Sequence, residues 1–344
     1  MDRLRVGIDV GSTTVKLVLL DENDKLIYER YERHMSDVFR KVKELLEDFN
    51  KEHPGEYHVG ITGSGGLDLA NKLGVRFEQE VITCSAAVER LIPQTDVAIE
   101  LGGEDAKITF YDGTIEQRMN GTCAGGTGAF IDQMAVLLNT DAMGLNEAAK
   151  NYSTIYPIAA RCGVFAKTDI QPLINEGAAQ EDIAVSIFQA VVDQTITGLA
   201  CGRVIKGNVA FLGGPLSFLS ELRDRFAKTL NLGKEQVIFP ENSRFYTAIG
   251  AAILSDKQEP VSVDTLIERI NKPGGKEAVK EMPPLFETDE DYREFKERHE
   301  KTKVPKKDLS KASGPVFLGI DAGSTTTKAA LIDKDGCLLY TYYN

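Results

Sequence analysis

Apolar side chains recur along this chain at two different spacings, which divide it into alternating strands and helices. Short continuous or alternating apolar runs are typical of strands, and apolar residues three or four positions apart are typical of helices. The strand-like segments are 5–20 (two strands around a turn), 25–31, 57–62, 96–110, 113–119 and the start of 209–217. The helix-like segments are 36–49, 83–91, 143–152, 183–204 and 246–254. Strands and helices mixed in this order predict an α/β fold.

The first pair of strands has a near copy about 90 residues later. At 5–20, an apolar strand carries Asp9 near its end, and a glycine-containing turn leads into the second strand. At 96–110, a strand carrying Glu100 is again followed by a glycine turn and another strand. A third strand completes each group. The repeat predicts a duplicated α/β domain that binds a nucleotide between its halves.

Composition divides the chain into three parts. The halves of the predicted compact domain are 1–93 and 94–255. The segment 256–315 holds six of the twelve prolines and much mixed charge, which is typical of a linker carrying one or two solvated helices. The segment 316–344 repeats the first hairpin at a constant offset of 312 residues, so we interpret it as the start of a second, incomplete domain.

The turn of the first hairpin has the composition of an anion-binding loop. Backbone N–H groups, hydroxyls and an ammonium group are available there, from Gly11, Ser12, Thr13, Thr14 and Lys16. The carboxylate of Asp9 can hold the waters of a Mg²⁺ ion. The alternative is an ordinary hairpin with a hydroxylated turn.

Two of the five cysteines stand beside glycines and look like a matched pair. Cys123 lies in a glycine-rich segment just before an amphipathic run, and Cys162 is followed directly by glycine and preceded by the basic Arg161. A helix N-terminus at Cys123 would stabilise a thiolate or an anionic cluster, so the pair are candidate ligands of a metal cluster. The alternative is that each is a small buried side chain. Cys84 and Cys201 fall within helix-like segments and are predicted to be core residues.

Charge and hydropathy exclude several classes of function. The formal net charge of −12 and the pI near 5.0 argue against a nucleic-acid-binding groove, which needs a basic surface. No apolar run approaches the roughly 18 to 20 residues of a membrane span, and the N-terminus has no signal-peptide core. The odd, widely spaced cysteines do not form a disulfide framework. These features predict a cytoplasmic protein.

Six segments together resemble a known family. GIDVGSTTVK, ELGGEDAK, FLGGPLS and TAIGAAI, in this order, resemble the duplicated, ribonuclease-H-like ATPase fold of actin, sugar kinases and the seventy-kilodalton heat-shock chaperones. MNGTCAGGTGAF and ARCGVFAKTD resemble the cluster-binding segments of ATP-dependent activators of 2-hydroxyacyl-CoA dehydratases. The ATPase subunits of benzoyl-CoA reductases are similar. The terminal repeat resembles the large, multidomain members of this family.

The resemblance implies an ATP or ADP site with Mg²⁺. Asp9 would organise the Mg²⁺ ion, and the turn from Gly11 to Thr14, with Lys16, would hold the phosphates. Two further glycine pairs would complete the site. Gly102 and Gly103 would face the γ-phosphate, and Gly213 and Gly214 would lie behind the adenosine.

The resemblance also implies electron transfer. Cys123 and Cys162 would supply two of the four ligands of a [4Fe–4S] cluster that is shared across a two-fold homodimer. ATP hydrolysis would change the angle between the halves and drive an electron into an iron–sulfur dehydratase or reductase partner. The electron would come from a donor such as ferredoxin or flavodoxin.

The second phosphate segment departs from the family pattern. Glu100 and Glu104 replace the usual aspartate and glutamine, so together with Asp9 they are the candidate catalytic residues and affect the expected rate of hydrolysis. Two rival functions remain: a small-molecule kinase and a chaperone-like ATP switch. A kinase needs a carboxylate base, and no clear one occurs around Thr83, where it is expected. The two glycine-flanked cysteines argue against the switch.

Overall fold

A computed structural model describes five stretches of the chain: 4–120, 125–159, 162–272, 282–323 and 326–344. These residues form two compact units, which are separated within the gap after residue 272. Cys123 lies outside the described residues, so the structure does not address its predicted role.

The described residues contain fourteen strands and twelve α-helices. The strands are β1 Arg5–Val10, β2 Thr14–Leu20, β3 Leu26–Arg33, β4 Glu56–Thr62, β5 Arg76–Phe77, β6 Val97–Leu101, β7 Ala106–Phe110, β8 Glu116–Met119, β9 Val209–Leu212, β10 Val237–Ile238, β11 Val261–Ser262, β12 Val316–Ala322, β13 Thr327–Asp333 and β14 Leu338–Tyr343. The helices are α1 Val38–Glu52, α2 Gly66–Leu73, α3 Glu80–Leu91, α4 Gly128–Leu137, α5 Ala142–Ala148, α6 Gly163–Asn175, α7 Gln180–Thr195, α8 Gly214–Phe218, α9 Ser220–Thr229, α10 Tyr246–Leu254, α11 Val263–Asn271 and α12 Asp289–Glu300.

The first sheet has six strands, in the order β11, β4, β1, β2, β3, with β5 beside β4. β1 is antiparallel to β2 and parallel to β4. Both β1 and β2 are almost continuously buried, which explains why their sequences are apolar at nearly every position. One face of this sheet packs against α1, α2 and α11, through side chains that include Leu46, Leu69 and Leu266.

The second sheet repeats this arrangement with β10, β9, β6, β7, β8. β6 is antiparallel to β7 and parallel to β9, as β1 is to β2 and β4. One face packs against α4, α6, α7 and α9, through side chains that include Phe130, Phe188 and Phe226. The predicted duplicated α/β architecture is confirmed.

Two helices, α3 and α10, lie between the sheets and contact both of them. Their close approach depends on small residues in α10. A Cβ atom on Gly250 would overlap the carbonyl oxygen of Thr83 in α3, and one on Gly7 in β1 would overlap the carbonyl oxygen of Ala248. Glycine at these positions lets backbone pack on backbone, so α3 and α10 form the junction of the two halves.

The first unit extends past the boundary predicted at residue 255. β11 pairs antiparallel with β4, and α11 packs against α1. Val263, Leu266 and Ile270 of α11 are buried in the core of the first half. The predicted linker 256–315 therefore begins with a strand of the first sheet and a helix of its core, because the apolar face of α11 needs a partner.

The second unit is a three-stranded antiparallel sheet of β12, β13 and β14. Its first hairpin has the register of the β1–β2 hairpin, since Asp321 lies opposite Lys328 as Asp9 lies opposite Lys16. All seven residues of β12 are exposed, whereas all six of β1 are buried.

One helical segment, Gln180–Ala200, is long and apolar enough to cross a membrane by length and composition alone. However, 67% of its most apolar window is buried inside the protein, as in the core helix of a folded domain. The segment is also not one continuous α-helix. α7 ends at Thr195, and a π-helical turn follows at Ile196–Ala200.

The two cysteines predicted to be core residues have different environments. Cys84 is buried, as predicted. Cys201 is exposed, so that prediction was wrong. The reason is that the helix ends before this residue, and Cys201 adopts a left-handed conformation with φ of 47°.

Candidate functional site

Two hairpin turns face each other across a cleft between the halves. In the first turn, the N–H of Gly11 donates to the carbonyl oxygen of Thr14 over 2.9 Å. In the second, the N–H of Gly102 donates to the carbonyl oxygen of Asp105 over 2.8 Å. The turns approach so closely that a Cβ atom on Gly103 would overlap the hydroxyl of Thr13. Two such turns can surround a polyphosphate from both sides.

A buried ion pair lies beneath the first turn. Asp9 is 2% exposed, and its Oδ2 lies 2.6 Å from the Nζ of Lys16 on the neighbouring strand. Burial is the largest single effect and lowers the pKa of Lys16, but the charge and hydrogen bond of Asp9, together with Tyr31 and Glu100, outweigh it, so the pKa is raised. Lys16 is therefore a fixed positive charge at the cleft.

The corresponding lysine of the second hairpin interacts with a larger number of carboxylates. Lys107 is 3% exposed and forms ion pairs with Glu80 and Asp105, while Glu100 lies 3.8 Å from its Nζ. Burial opposes the charged form of Lys107, yet these carboxylates raise its pKa well above the usual value. Glu100 also accepts a hydrogen bond from Thr247 of α10 over 3.2 Å.

Sequence reasoning missed Glu80. The base is expected around Thr83, but α3 begins at Glu80, and its first residue projects into the cleft toward Lys107. The available signal was an acidic residue three positions before the predicted helix start at residue 83, because predicted element boundaries are uncertain by about two to four residues.

A third glycine turn joins β9 to α8 at the far end of the cleft. Gly213 has φ of 89°, and a Cβ atom there would overlap the carbonyl oxygen of Leu101. Gly214 lies against the hydroxyl group of Tyr31, from the first half. Beside this turn is an apolar pocket, whose lining includes Met143, Pro215, Phe218 and Leu219.

Nearly all the nucleotide-site residues predicted from the sequence line one cleft of about 550 Å³. They are Asp9, Gly11, Ser12, Thr13, Thr14, Lys16, Glu100, Gly102, Gly103, Gly213 and Gly214. Glu104 does not line this cleft. It lines an adjoining cavity, together with Ser64, Phe77 and Val81 among others.

The charges of the cleft fit a divalent cation bound together with phosphates. The carboxylates of Asp9, Glu80, Glu100 and Asp105 outnumber the basic groups of Lys16, Lys107 and Arg244. Within the described ranges, no group of three His, Cys, Asp or Glu residues is arranged to hold a metal by itself. Mg²⁺ suits such a site, because it keeps several waters and takes other ligands from phosphates.

Cys162 stands immediately before a helix. It is the N-cap residue of α6, and its side chain is partly buried. Gly163 follows it, and the two residues after that glycine, Val164 and Phe165, are 70% and 65% exposed. An exposed apolar patch therefore adjoins this thiol, which would favour contact with another protein surface.

Helix α4 connects the second glycine turn with the Cys162 segment. At its N-terminus, Gly128 and Ala129 donate hydrogen bonds to the carbonyl oxygens of Gly102 and Gly103, over 3.0 and 2.7 Å. Along its side, Phe130 and Gln133 lie beside Gly163. A displacement of the glycine turn would therefore be transmitted through α4 to the start of α6.

Comparison with known proteins identifies the family. Residues 6–255 match the BadF/BadG/BcrA/BcrD ATPase family. This chain belongs to that family. The 2-hydroxyisocaproyl-CoA dehydratase activator of Clostridioides difficile is 26% identical over 264 residues, covering 72% of this chain and 93% of that protein. The (R)-2-hydroxyglutaryl-CoA dehydratase activating ATPase of Acidaminococcus fermentans is 28% identical over 259 residues, covering 74% and 97% respectively.

Solved structures agree with this assignment. The crystal structure of Acidaminococcus fermentans (R)-2-hydroxyglutaryl-CoA dehydratase component A superposes with a TM-score of 0.65 at 25% identity, covering 74% of this chain and 98% of that one. The Clostridium difficile 2-hydroxyisocaproyl-CoA dehydratase activator, solved with bound ADPNP, has the same fold, with a TM-score of 0.64 at 24% identity, covering 83% and 100%. The family resemblance and the fold inferred from the motifs are confirmed.

In this BadF/BadG/BcrA/BcrD ATPase, the matched residues include all three glycine turns and both cysteine segments. The match ends before β11, α11 and the whole second unit. The cleft between the halves thus lies in the part of the chain that matches the family, and the protein is a member of an ATPase family.

Proposed function

We propose that this protein is an ATP-driven electron-transfer activator of an iron–sulfur dehydratase or reductase. The observation that carries the proposal is the continuous path from the nucleotide cleft through α4 to Cys162. A site that only bound or hydrolysed ATP would not need its phosphate turn joined to a cysteine segment. The names of the relatives, which are dehydratase activators, support the same class of partner.

In this proposal the three glycine turns hold Mg-ATP. The first two turns contact the phosphates, and Lys16 contributes a permanent positive charge. Asp9 would hold Mg²⁺ through water molecules bound to the ion. The Mg²⁺ ion would neutralise charge on the polyphosphate and polarise the γ-phosphate. Gly213 and Gly214 would back the adenosine, with the adenine in the apolar pocket beside Phe218.

Cys123 and Cys162 are proposed to ligate a [4Fe–4S] cluster. One chain supplies only two such thiolates and the cluster needs four, so a two-fold dimer would complete the set. The exposed Val164 and Phe165 beside Cys162 would be buried against the second copy. Cys84 is unsuited to the role, because burial raises its pKa and disfavours the thiolate that a metal requires.

The cluster would pass single electrons from a donor such as ferredoxin or flavodoxin to the partner enzyme. ATP binding and hydrolysis would change how the halves are arranged, and α4 would transmit this change to the cysteine segments. The described cysteines are all free thiols, which suits a reducing compartment, and we place the protein in the cytoplasm.

The test is to purify the full chain without oxygen and measure iron, sulfide and molar mass. We expect a brown dimer with about one [4Fe–4S] cluster per two chains, and an EPR signal of the reduced cluster that differs between ADP and ATP. Cys123→Ser and Cys162→Ser should each lose iron and shift toward monomer. Cys201→Ser, at an exposed thiol outside the proposed site, is the matched control and should keep both.

A colourless monomer that still hydrolyses ATP under these conditions would refute the electron-transfer function. It would favour the alternative of a small-molecule kinase. One observation makes that alternative specific: Glu80 supplies the cleft with the carboxylate that a kinase needs as its base. Kinase activity would appear as ATP consumption that depends on an added hydroxyl compound.

A further inference from the structure

Glu80 brings a carboxylate into the nucleotide cleft from the helix at the junction of the halves. It is the first residue of α3, and its side chain is 20% exposed. Its Oε2 accepts a hydrogen bond from the Nζ of Lys107, which lies in the opposite half. Glu80 lines both the cleft and the adjoining cavity, which measures about 840 Å³. It therefore stands between the phosphate turns and a space through which water can reach them.

The other acids near the phosphate turns are less suited to act on a water molecule. Asp9 is ion-paired and its side chain is only 3% exposed, against 20% for Glu80, and Glu100 accepts a hydrogen bond from a threonine of α10. Asp105 folds back onto its own turn, where its Oδ1 occupies the position that a Cβ on Gly102 would take. Glu104 lines only the adjoining cavity.

The electrostatic surroundings of Glu80 suit a proton acceptor. Burial raises the pKa of its carboxyl, and although Lys107 opposes this effect, the negative charges of Asp9 and Glu100 add to it. A general base is most effective when its pKa lies near the working pH. Lys107 is also shared with Asp105, so a γ-phosphate in the cleft would compete with both acids for this ammonium group.

We propose that Glu80 is the general base for ATP hydrolysis, a role that rests on the proposed function above. Glu80 accepts a proton from the attacking water as the water oxygen forms a bond to the γ-phosphorus. The bond between that phosphorus and the bridging oxygen breaks, and ADP leaves with the bonding electrons. The proton then passes from Glu80 to solvent, so the products are ADP, phosphate and one proton.

The test compares Glu80→Gln with Glu89→Gln in the full-length protein. Glu89 is an exposed residue on the same helix, so its substitution makes the same change in charge outside the cleft. Glu80→Gln should slow phosphate release about 100-fold or more, the usual contribution of a general base, whereas Glu89→Gln should not. The Kd for Mg-ATP should be unchanged in Glu89→Gln and no higher in Glu80→Gln, where one competitor for Lys107 is removed. Glu80→Gln isolated with ATP should retain ATP, not ADP, when its bound nucleotide is analysed.

The pH profile gives a second measurement. A protonated carboxyl cannot accept a proton, so the wild-type rate should fall as the pH drops through the pKa of Glu80. Glu80→Gln should lack this acid limb. The charged groups facing Glu80 are Lys107, Asp105, Asp9 and Glu100, and all are present in both proteins.

Any of four results would overturn the assignment. Retention of most of the wild-type rate, or of the acid limb, in Glu80→Gln would mean that another group accepts the proton. Loss of ATP binding in Glu80→Gln would mean that the carboxylate maintains the cleft. If wild type and Glu89→Gln also fail to hydrolyse Mg-ATP, the proposed ATPase function fails and this role falls with it, a pattern distinct from loss in Glu80→Gln alone.

Discussion

An aspartate and a lysine face each other across a hairpin both in the cleft of the first unit and in the second unit. The Asp9–Lys16 pair spans 2.6 Å with side chains 3% and 15% exposed. The equivalent Asp321–Lys328 pair spans 2.9 Å with side chains 67% and 45% exposed. Charges interact far more strongly in a buried environment, so the two pairs differ in effect although their geometry is alike.

We expect Asp9→Asn to slow ATP hydrolysis about 100-fold or more, as the loss of a group that stabilises charge in an active site does. The fold should survive, because asparagine keeps the size of aspartate and an oxygen that accepts a hydrogen bond from Lys16. Phosphate release and thermal unfolding measure the two effects. Asp321→Asn is the matched control and should alter neither. Full activity of Asp9→Asn would remove Asp9 from the mechanism.

Among the elements, β1 and β12 share a sequence pattern but not an environment. α10 lies directly on β1, and Gly7 allows this contact with the backbone of Ala248. Gly319 occupies the equivalent position of β12, where the nearest atom to an added Cβ is the carbonyl oxygen of Ala330, at 3.9 Å. The same residue is therefore required by packing in one strand and unconstrained in the other.

Gly7→Ala should lower the free energy of unfolding of the first unit by about 1–3 kcal/mol or more, because a methyl group there overlaps backbone that cannot move freely. Gly319→Ala should leave stability nearly unchanged. Chemical denaturation followed by circular dichroism measures both. Equal stability of the two variants would show that α10 does not pack on β1 as described.

For the whole molecule, the extent of the first unit determines which truncations it tolerates. A chain ending at residue 272 keeps β11 and α11, whereas a chain ending at residue 255 loses both. The shorter chain exposes the apolar surface that contacts Val263, Leu266 and Ile270. Burial of each such side chain contributes about 1.5–3 kcal/mol.

We expect the chain ending at residue 272 to bind Mg-ATP as the full chain does, because every residue of the cleft is retained. The chain ending at residue 255 should be destabilised by several kcal/mol, about the contribution of three buried apolar side chains. Isothermal titration with a non-hydrolysable ATP analogue and thermal unfolding test this pair. If the longer truncated chain loses ATP binding, the second unit contributes to the first site.

Sequence reasoning was accurate where the cause of structure is local. The three glycine turns, the acid–lysine hairpins and the duplicated order of strands were all recognisable, because turn chemistry and the spacing of apolar residues act within a few positions. The same local signals did not reveal the helix that begins directly after Cys162. They were less accurate at segment ends: the 183–204 helix ends early, which leaves Cys201 exposed.

The sequence by itself therefore determined the fold, the family and most of the residues that line the cleft between the halves. Only the tertiary structure decided that Glu80 meets Lys107, that Glu104 lies in the neighbouring cavity, and that α11 packs into the core of the first half. Glu80 and Lys107 are 27 residues apart and lie in different halves, so their contact depends on how α3 packs against α10. Such contacts arise from the shape of the assembled core, which local patterns of polarity do not specify.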